Sequence, residues 1–254
     1  MKITLLGTGT SQGIPVIGCD CAVCSSKDSR DVRLRTSLYI ENGNTSILID
    51  TSPDLRQQML LHTISDIDAV IYTHEHNDHT AGFDDIRPFC FKNKKDMPIY
   101  GLKRVMDDMK NRFAYAFSDI SYPGVPRAIT NNIKPGDSFK IGNIDILGIP
   151  VIHGNLDILG FRINNFAFIT DASKLTDFAF KLLDGVEVLV INALQRNSHH
   201  SHFTLSQSLE SIEKINPSQA YISHLSHKMG MTNNWEKELP ENVLPSFDGL
   251  VVYG

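Results

Sequence analysis

Residues 68–82, DAVIYTHEHNDHTAG, constrain this chain more than any other stretch. The apolar run from Ala69 to Tyr72 reads as a short buried strand that stops at Thr73. His74, His76, Asp78 and His79 then arrive within six residues. As packing residues these groups would crowd one loop without partners. At the end of a strand they can converge on one point, which is what a metal ion requires. Imidazole nitrogen together with carboxylate oxygen suits zinc, iron or manganese.

Size and charge bound the rest. A length of 254 residues fits one domain over 1–254, and an apolar fraction of 41% supplies a substantial core. The formal net charge of −5 gives no pull toward nucleic acid or anionic membranes. No stretch approaches the ~20 apolar residues of a membrane span. The opening MKITLLGTGTS breaks at Gly-Thr-Gly-Thr, too early for a signal peptide, so a cytoplasmic location is expected. Three of the four cysteines sit together as Cys19, Cys21 and Cys24, in a small element over 18–25. Without an export signal, such a CxCxxC cluster points to metal rather than to disulfides. Its thiolates can wrap one zinc, which then takes a fourth ligand from elsewhere.

The remaining chain alternates strands with helices. Residues 2–6 read as a strand, ending in a GTGTSQG turn that is neither GxGxxG nor a P-loop. Residues 35–50 read as a hairpin about a type I′ Asn42-Gly43 turn. Asp50 closes its second strand, before a helix with Pro53 in its first turn. A helix from Ala81 is expected to stop before Pro88, and residues 102–117 to form one amphipathic helix. An irregular connection is expected over 118–135, as a wall or lid of the pocket. In the second half, hairpins turn at Gly142-Asn143 and Asn164-Asn165, followed by a helix over 174–184, a buried strand over 186–191 and another over 219–223. His153, Asp171 and His224 each lie just past an apolar strand, the same place as the first histidine loop. Thr204 opens a further helix, with His199, His200 and His202 just before it. Strands mixed with helices argue for packed α/β layers.

Together, His74, His76, Asp78, His79, His153, Asp171 and His224 can serve two ions, with Asp171 between them. Two ions ~3.5–4 Å apart generate hydroxide at neutral pH and hold the attacking and leaving oxygens of a displacement. The HxHxDH pattern resembles the signature of the metallo-β-lactamase superfamily. That resemblance implies an αββα sandwich, with His74, His76 and His153 on one metal, Asp78, His79 and His224 on the other, and Asp171 bridging. It also implies that Asp50 accepts hydrogen bonds from the metal loop, alongside its plain reading as a turn or N-cap residue.

The opening LLGTGTSQGIP, the cysteine cluster, DDIRPF (residues 84–89) and the final HLSH resemble the PhnP-type phosphodiesterases. The implications are a structural zinc on Cys19, Cys21, Cys24 and His227, two active-site ions of zinc or manganese, and hydrolysis of a small cyclic ribose phosphate such as 5-phosphoribosyl 1,2-cyclic phosphate. A homodimer is also implied. His202-Phe203-Thr204 resembles the HxT element shared with ribonuclease Z, which puts His202 beside the leaving group as proton donor. A swap with His199 or His200, and a plain helix-entry role, stay open. Two alternatives remain: a tRNA 3′-processing endonuclease of ribonuclease Z type, and a non-hydrolytic accessory protein resembling PqqB.

Overall fold

The computed structural model describes residues 1–118 and 124–254. The first half runs β1 (Lys2–Gly7), β2 (Ser37–Asn42), β3 (Thr45–Ile49), α1 (Leu55–Leu61), β4 (Ala69–Ile71), α2 (Asn77–Thr80), α3 (Arg87–Asn93), β5 (Met97–Gly101), α4 (Lys103–Arg112) and β6 (Ala128–Asn132). The second runs β7 (Ser138–Ile141), β8 (Ile144–His153), β9 (Leu156–Ile163), β10 (Phe166–Ile169), α5 (Asp177–Leu182), β11 (Val188–Asn192), α6 (Leu205–Ile215), β12 (Gln219–Ser223), α7 (Thr232–Trp235), β13 (Val243–Pro245) and β14 (Val251–Tyr253).

Among the described residues the strands form two seven-stranded sheets, ordered β14-β1-β2-β3-β4-β5-β6 and β13-β12-β11-β10-β9-β8-β7. The first is antiparallel from β14 to β3 and parallel from β3 to β6. The second is parallel from β13 to β10 and antiparallel from β10 to β7. Both sheets therefore join a meander to a parallel set, and helices lie on the outer faces. Strand β4 illustrates the layering, because side chains alternate across a strand. Ala69 and Ile71 enter the core between the sheets, with Ile3, Ile40, Phe161 and Phe166. Val70 and Tyr72 enter the outer core with Leu55, Phe89, Val105 and Met109 from α1, α3 and α4. A third core, with Leu205, Ile212 and Trp235, covers the outer face of the second sheet. This is the αββα sandwich. No helix among the described residues is long and apolar enough to cross a membrane.

Several local expectations need correction. In the first hairpin Asn42 pairs with Thr45, so the loop is Gly43-Asn44. Of these two only Gly43 has positive φ (58°), so the type I′ geometry, which needs two such residues, does not form. Pro88 does not stop a helix. A 3-10 turn over Phe83–Ile86 leads into α3, and Pro88 stands in its first turn, where its missing N–H costs nothing. The single helix expected over 102–117 divides into α4 and a 3-10 turn at Ala114–Ala116. The helix expected over 174–184 shortens to α5, capped by the Thr176 side chain on Ala179 N–H. Part of the irregular connection is strand β6, parallel to β5, and its residues 119–123 lie outside the described residues.

Candidate metal centre

The carboxyl ends of the central parallel strands face one crevice, where open α/β sheets place ligands. Asp50 follows β3, His74 and His76 follow β4, Asp171 follows β10 and His224 follows β12. Asp50, Asp171 and His224 take left-handed backbone, with φ of 61°, 57° and 54°. A non-glycine residue held there costs on the order of 1–3 kcal/mol where the conformation is strained. Three such residues at three strand ends mark the crevice as a place where side-chain direction outweighs backbone comfort.

Asp50 organises the loop. Its carboxylate is fully buried and accepts from Thr73 N–H (2.8 Å), Thr73 Oγ1 (2.8 Å) and His79 Nδ1–H (2.7 Å). Because the Thr73 hydroxyl donates to Asp50, its oxygen is left to accept from His74 Nδ1–H at 3.0 Å. One carboxylate thus sets the tautomer of both histidines and turns both Nε2 atoms toward the crevice. His153 Nδ1–H donates to the Ser201 carbonyl (2.6 Å), leaving its Nε2 free. His224 Nδ1 lies 2.9 Å from Thr36 Oγ1, which itself donates to the Gly9 carbonyl, and 3.3 Å from Asp171 Oδ1.

The candidate ligands meet around Asp171. One group is His74, His76 and His153, and a second is Asp78, His79, Asp171 and His224. His74 Nε2 lies 3.8 Å from Asp171 Oδ2, while His79 Nε2 lies 3.4 Å from Asp171 Oδ1 and 3.3 Å from Asp78 Oδ2. Both Nε2 atoms are buried and lack a hydrogen-bond partner of proper geometry. Such a group costs about 1–3 kcal/mol if left so. Divalent cations held by these two groups would use both orphaned nitrogens, so the residues present fit the implied metals. Asn192, at the end of β11, pins the backbone beside Asp171, accepting from Ala172 N–H (2.7 Å) and donating to its carbonyl (3.0 Å).

The charges follow from this crowding. Burial opposes ionisation of Asp171 and Asp78, but the neighbouring histidines outweigh it and hold both carboxyls well below the usual range. Burial likewise opposes charge on His79, yet Asp78, Asp171 and Asp50 together lift its pKa well above the ordinary value. His74 moves the other way, driven down by burial and by the His79 charge. Among the histidines with shifted pKa values, His79 is therefore the one whose charged form the metal-free site favours.

His202 is carried into the site by the segment between β11 and α6. Phe203 N–H donates to the Ala172 carbonyl, and a reciprocal capping box between Thr204 and Gln207 starts α6 just beyond. Such a cap contributes ~0.5–2 kcal/mol, so the entry of this helix is well fixed. His202 Nδ1 lies 3.9 Å from Asp171 Oδ2 and, like the two ligand nitrogens, has no hydrogen-bond partner. His153, Asp171 and His202 form a further ligand-like group. Burial pulls the His202 pKa to about 3, against the opposing charge of Asp171. His199 stands behind it with ring centroids 5.2 Å apart, and the exposed His200 packs against His199 at 4.4 Å with the rings tilted by 35°.

The cysteines converge elsewhere. Cys19, Cys21 and Cys24 Sγ lie 3.4, 3.5 and 3.4 Å from His227 Nδ1. A tetrahedral ion with sulfur at ~2.3 Å and nitrogen at ~2.0–2.1 Å separates such atoms by about 3.5 Å, so this set fits a closed zinc site. Metal-free, the Cys24 backbone N–H draws Cys21 down to about 6, while burial pushes Cys24 up to about 11.

Sequence reasoning did not single out Thr36, Thr73, Ser201 or Asn192 for their roles. Thr73 adjoins the histidine motif and Asn192 ends an apolar strand, which were usable signals. Thr36 and Ser201 carry none.

A model of the β-lactamase superfamily domain matches residues 45–225. Among solved structures, a diphosphatase of the PhnP family superposes with a TM-score of 0.93 at 35% identity, covering 100% of this chain and 97% of that one. An octanoyltransferase from Porphyromonas gingivalis is 38% identical over 252 residues, 98% of this chain. The chain spans about half of that protein's length, 51%. Coenzyme PQQ synthesis protein B of Methylobacterium sp. (strain 4-46) is 33% identical over 224 residues, covering 76% of this chain and 72% of that protein. The histidine loop, the paired sheets and the family match agree: this chain belongs to the metallo-β-lactamase superfamily and is similar throughout its length to a PhnP-family diphosphatase.

Proposed function

We propose that this chain is a dinuclear metal-dependent phosphoric diester hydrolase acting on a small phosphodiester, with 5-phosphoribosyl 1,2-cyclic phosphate as a fitting substrate. The observation that carries this reading is the pair of orphaned nitrogens, His74 Nε2 and His79 Nε2, on either side of Asp171. His74, His76 and His153 would hold one ion, Asp78, His79 and His224 the other, and Asp171 would face both. Zinc or manganese held there would supply an activated water and neutralise charge gathering on the phosphoryl oxygens. Asp78, held ionised by the neighbouring histidines, would also orient the attacking water.

His202 protonates the leaving oxygen. With its pKa drawn to about 3, this imidazole rests neutral. What supports the role is position: His202 Nδ1 is buried, has no hydrogen-bond partner and lies 3.9 Å from Asp171 Oδ2, so it is free to meet a substrate oxygen. This chain covers 51% of the octanoyltransferase from Porphyromonas gingivalis, so acyl transfer does not carry over from that longer protein.

The test is metal content by mass spectrometry on protein purified without added metal, paired with hydrolysis of bis(p-nitrophenyl) phosphate. About three ions per chain with turnover supports this reading. One ion and no turnover overturns it and favours a non-hydrolytic accessory role, the reading to which the 33% identity to coenzyme PQQ synthesis protein B points. Tight, salt-sensitive tRNA binding favours the ribonuclease Z reading instead, against a net charge of −5. His202→Ala is expected to keep its metals and lose on the order of 10²–10⁴ in rate on alkyl diesters. Loss on p-nitrophenyl esters is much smaller, because p-nitrophenolate leaves without a proton. Equal losses on both would remove His202 from that role.

A further inference from the structure

Helix α4 lies against the histidine loop, and two of its arginines grip it. Arg112 Nη2 donates to the Glu75 carbonyl (2.9 Å) and to Thr80 Oγ1 (2.8 Å), both within the loop. Arg104 does something different. Its Nε and Nη2 donate to Glu75 Oε1 and Oε2 at 2.7 and 3.1 Å, and Nη2 also donates to the Asp157 carbonyl at 2.8 Å. Glu75 stands between His74 and His76 in sequence. Asp157 pairs with Ile152 across the β8–β9 hairpin, next to the His153–Leu156 pair. Arg104 therefore spans from the first half of the molecule to the second at the point where His74, His76 and His153 gather.

That group needs such a link. His74 is held through Thr73 and His153 through the Ser201 carbonyl. Among the described residues no hydrogen bond holds the His76 ring, which only packs against His74 and His153 at centroid distances of 4.5 and 5.0 Å. Beside these histidines the backbone adds a bond from Leu159 N–H to the Thr73 carbonyl at 3.1 Å, on the His74 side of the loop.

We infer that Arg104 is a positioning residue: by bridging the Glu75 carboxylate and the Asp157 carbonyl, it sets the spacing of His76 from His153 and thereby the affinity of the first ion. The inference rests on the dinuclear reading above. A flat guanidinium can bond two acceptors in fixed directions at once, whereas an ammonium on a flexible stem acts as a point charge. The Arg104 side chain is 40% exposed, so its ion pair adds little to stability, and its effect belongs in the geometry it imposes.

The test compares wild type with Arg104→Ala, Arg104→Lys and Glu75→Gln in graded zinc buffers, reading metal content by mass spectrometry and thermal unfolding of the metal-free proteins. Arg104→Ala is expected to weaken one ion by about 10–100-fold, the usual cost of losing an outer partner of a ligand, and to leave the other two and the unfolding temperature unchanged. Arg104→Lys stays weak. In a His76→Ala background, Arg104→Ala adds nothing further, because both act on the same ion. Wild-type affinity for every ion in Arg104→Ala, or equal weakening of all with a large drop in unfolding temperature, overturns the inference. Absence of the central ions from wild type itself would overturn the dinuclear reading, and that is visible before any variant is made.

Discussion

Two clusters of metal-type residues stand in this molecule, and they are built on opposite principles. The cysteine cluster takes three ligands from one hexapeptide and a fourth from His227, is half-exposed, and closes on itself with three near-equal distances from His227 Nδ1 to the sulfurs. The central cluster draws its groups from strand ends spread between residues 74 and 224 and buries most of them. There, Asp50, Thr73 and Ser201 orient ligand nitrogens, while the exposed His76 leaves one side open. A closed four-ligand set fixes the chain, and an open set with oriented nitrogens leaves room for chemistry. The difference can be broken experimentally.

The largest effect is expected for Asp171→Asn. Removing the charge between the two ligand groups should lower the metal content from about three ions to about one. Turnover should fall by ~10³ or more, about 4 kcal/mol of barrier. The ion that remains should be the one at the cysteines, and its loss instead would show that the clusters are not independent.

Cys21→Ser is the converse. It should drop one ion, keep the central two, and lower the melting temperature by about 5–15 °C, the size of losing a native cross-link. An unchanged metal count in this variant refutes the cysteine site.

A smaller effect is expected from Asp50→Asn. Asparagine tolerates the left-handed backbone at this position, so the change isolates the hydrogen bonds. An amide cannot accept all three bonds that the carboxylate takes from Thr73 and His79, because its NH2 group must face at least one of the donors. Central-site affinity should fall about 10–100-fold and cysteine-site affinity should stay, as graded chelator titrations would reveal.

The smallest signal is a proton. With three carboxylates holding His79 above its ordinary pKa, the metal-free site carries this proton at neutral pH, and an ion on Nε2 must displace it. Central-site affinity should therefore rise with pH through neutrality, with release of about one proton per chain. Calorimetry in two buffers of different ionisation enthalpy, on protein already loaded at the cysteines, measures it. Zero release would mean that His79 rests neutral.

What the sequence made legible was whatever ended an apolar run. His74, His153, Asp171 and His224 stood out because hydrophobic periodicity marks strands, and polar residues just beyond them reach the sheet edge. The cysteine spacing was legible because three ligands lay within one turn of chain. Thr36 was not, since its bond to His224 joins positions 188 residues apart through an ordinary residue type. Arg104 looked like any charged helix position. Pro88 misled because a proline that ends one helix and a proline that begins the next look the same in sequence.

The distance between the cysteines and their histidine has a consequence during synthesis. Cys24 leaves the ribosome 203 residues ahead of His227. At ~5–20 residues per second, the three thiols wait roughly 10–40 seconds for the group that completes their cage. By then both sheets have nearly all their strands, and His224 arrives three residues ahead of His227. Closing the cage therefore reports that translation has passed the last central ligand, and a truncated chain, lacking both, keeps its thiols open.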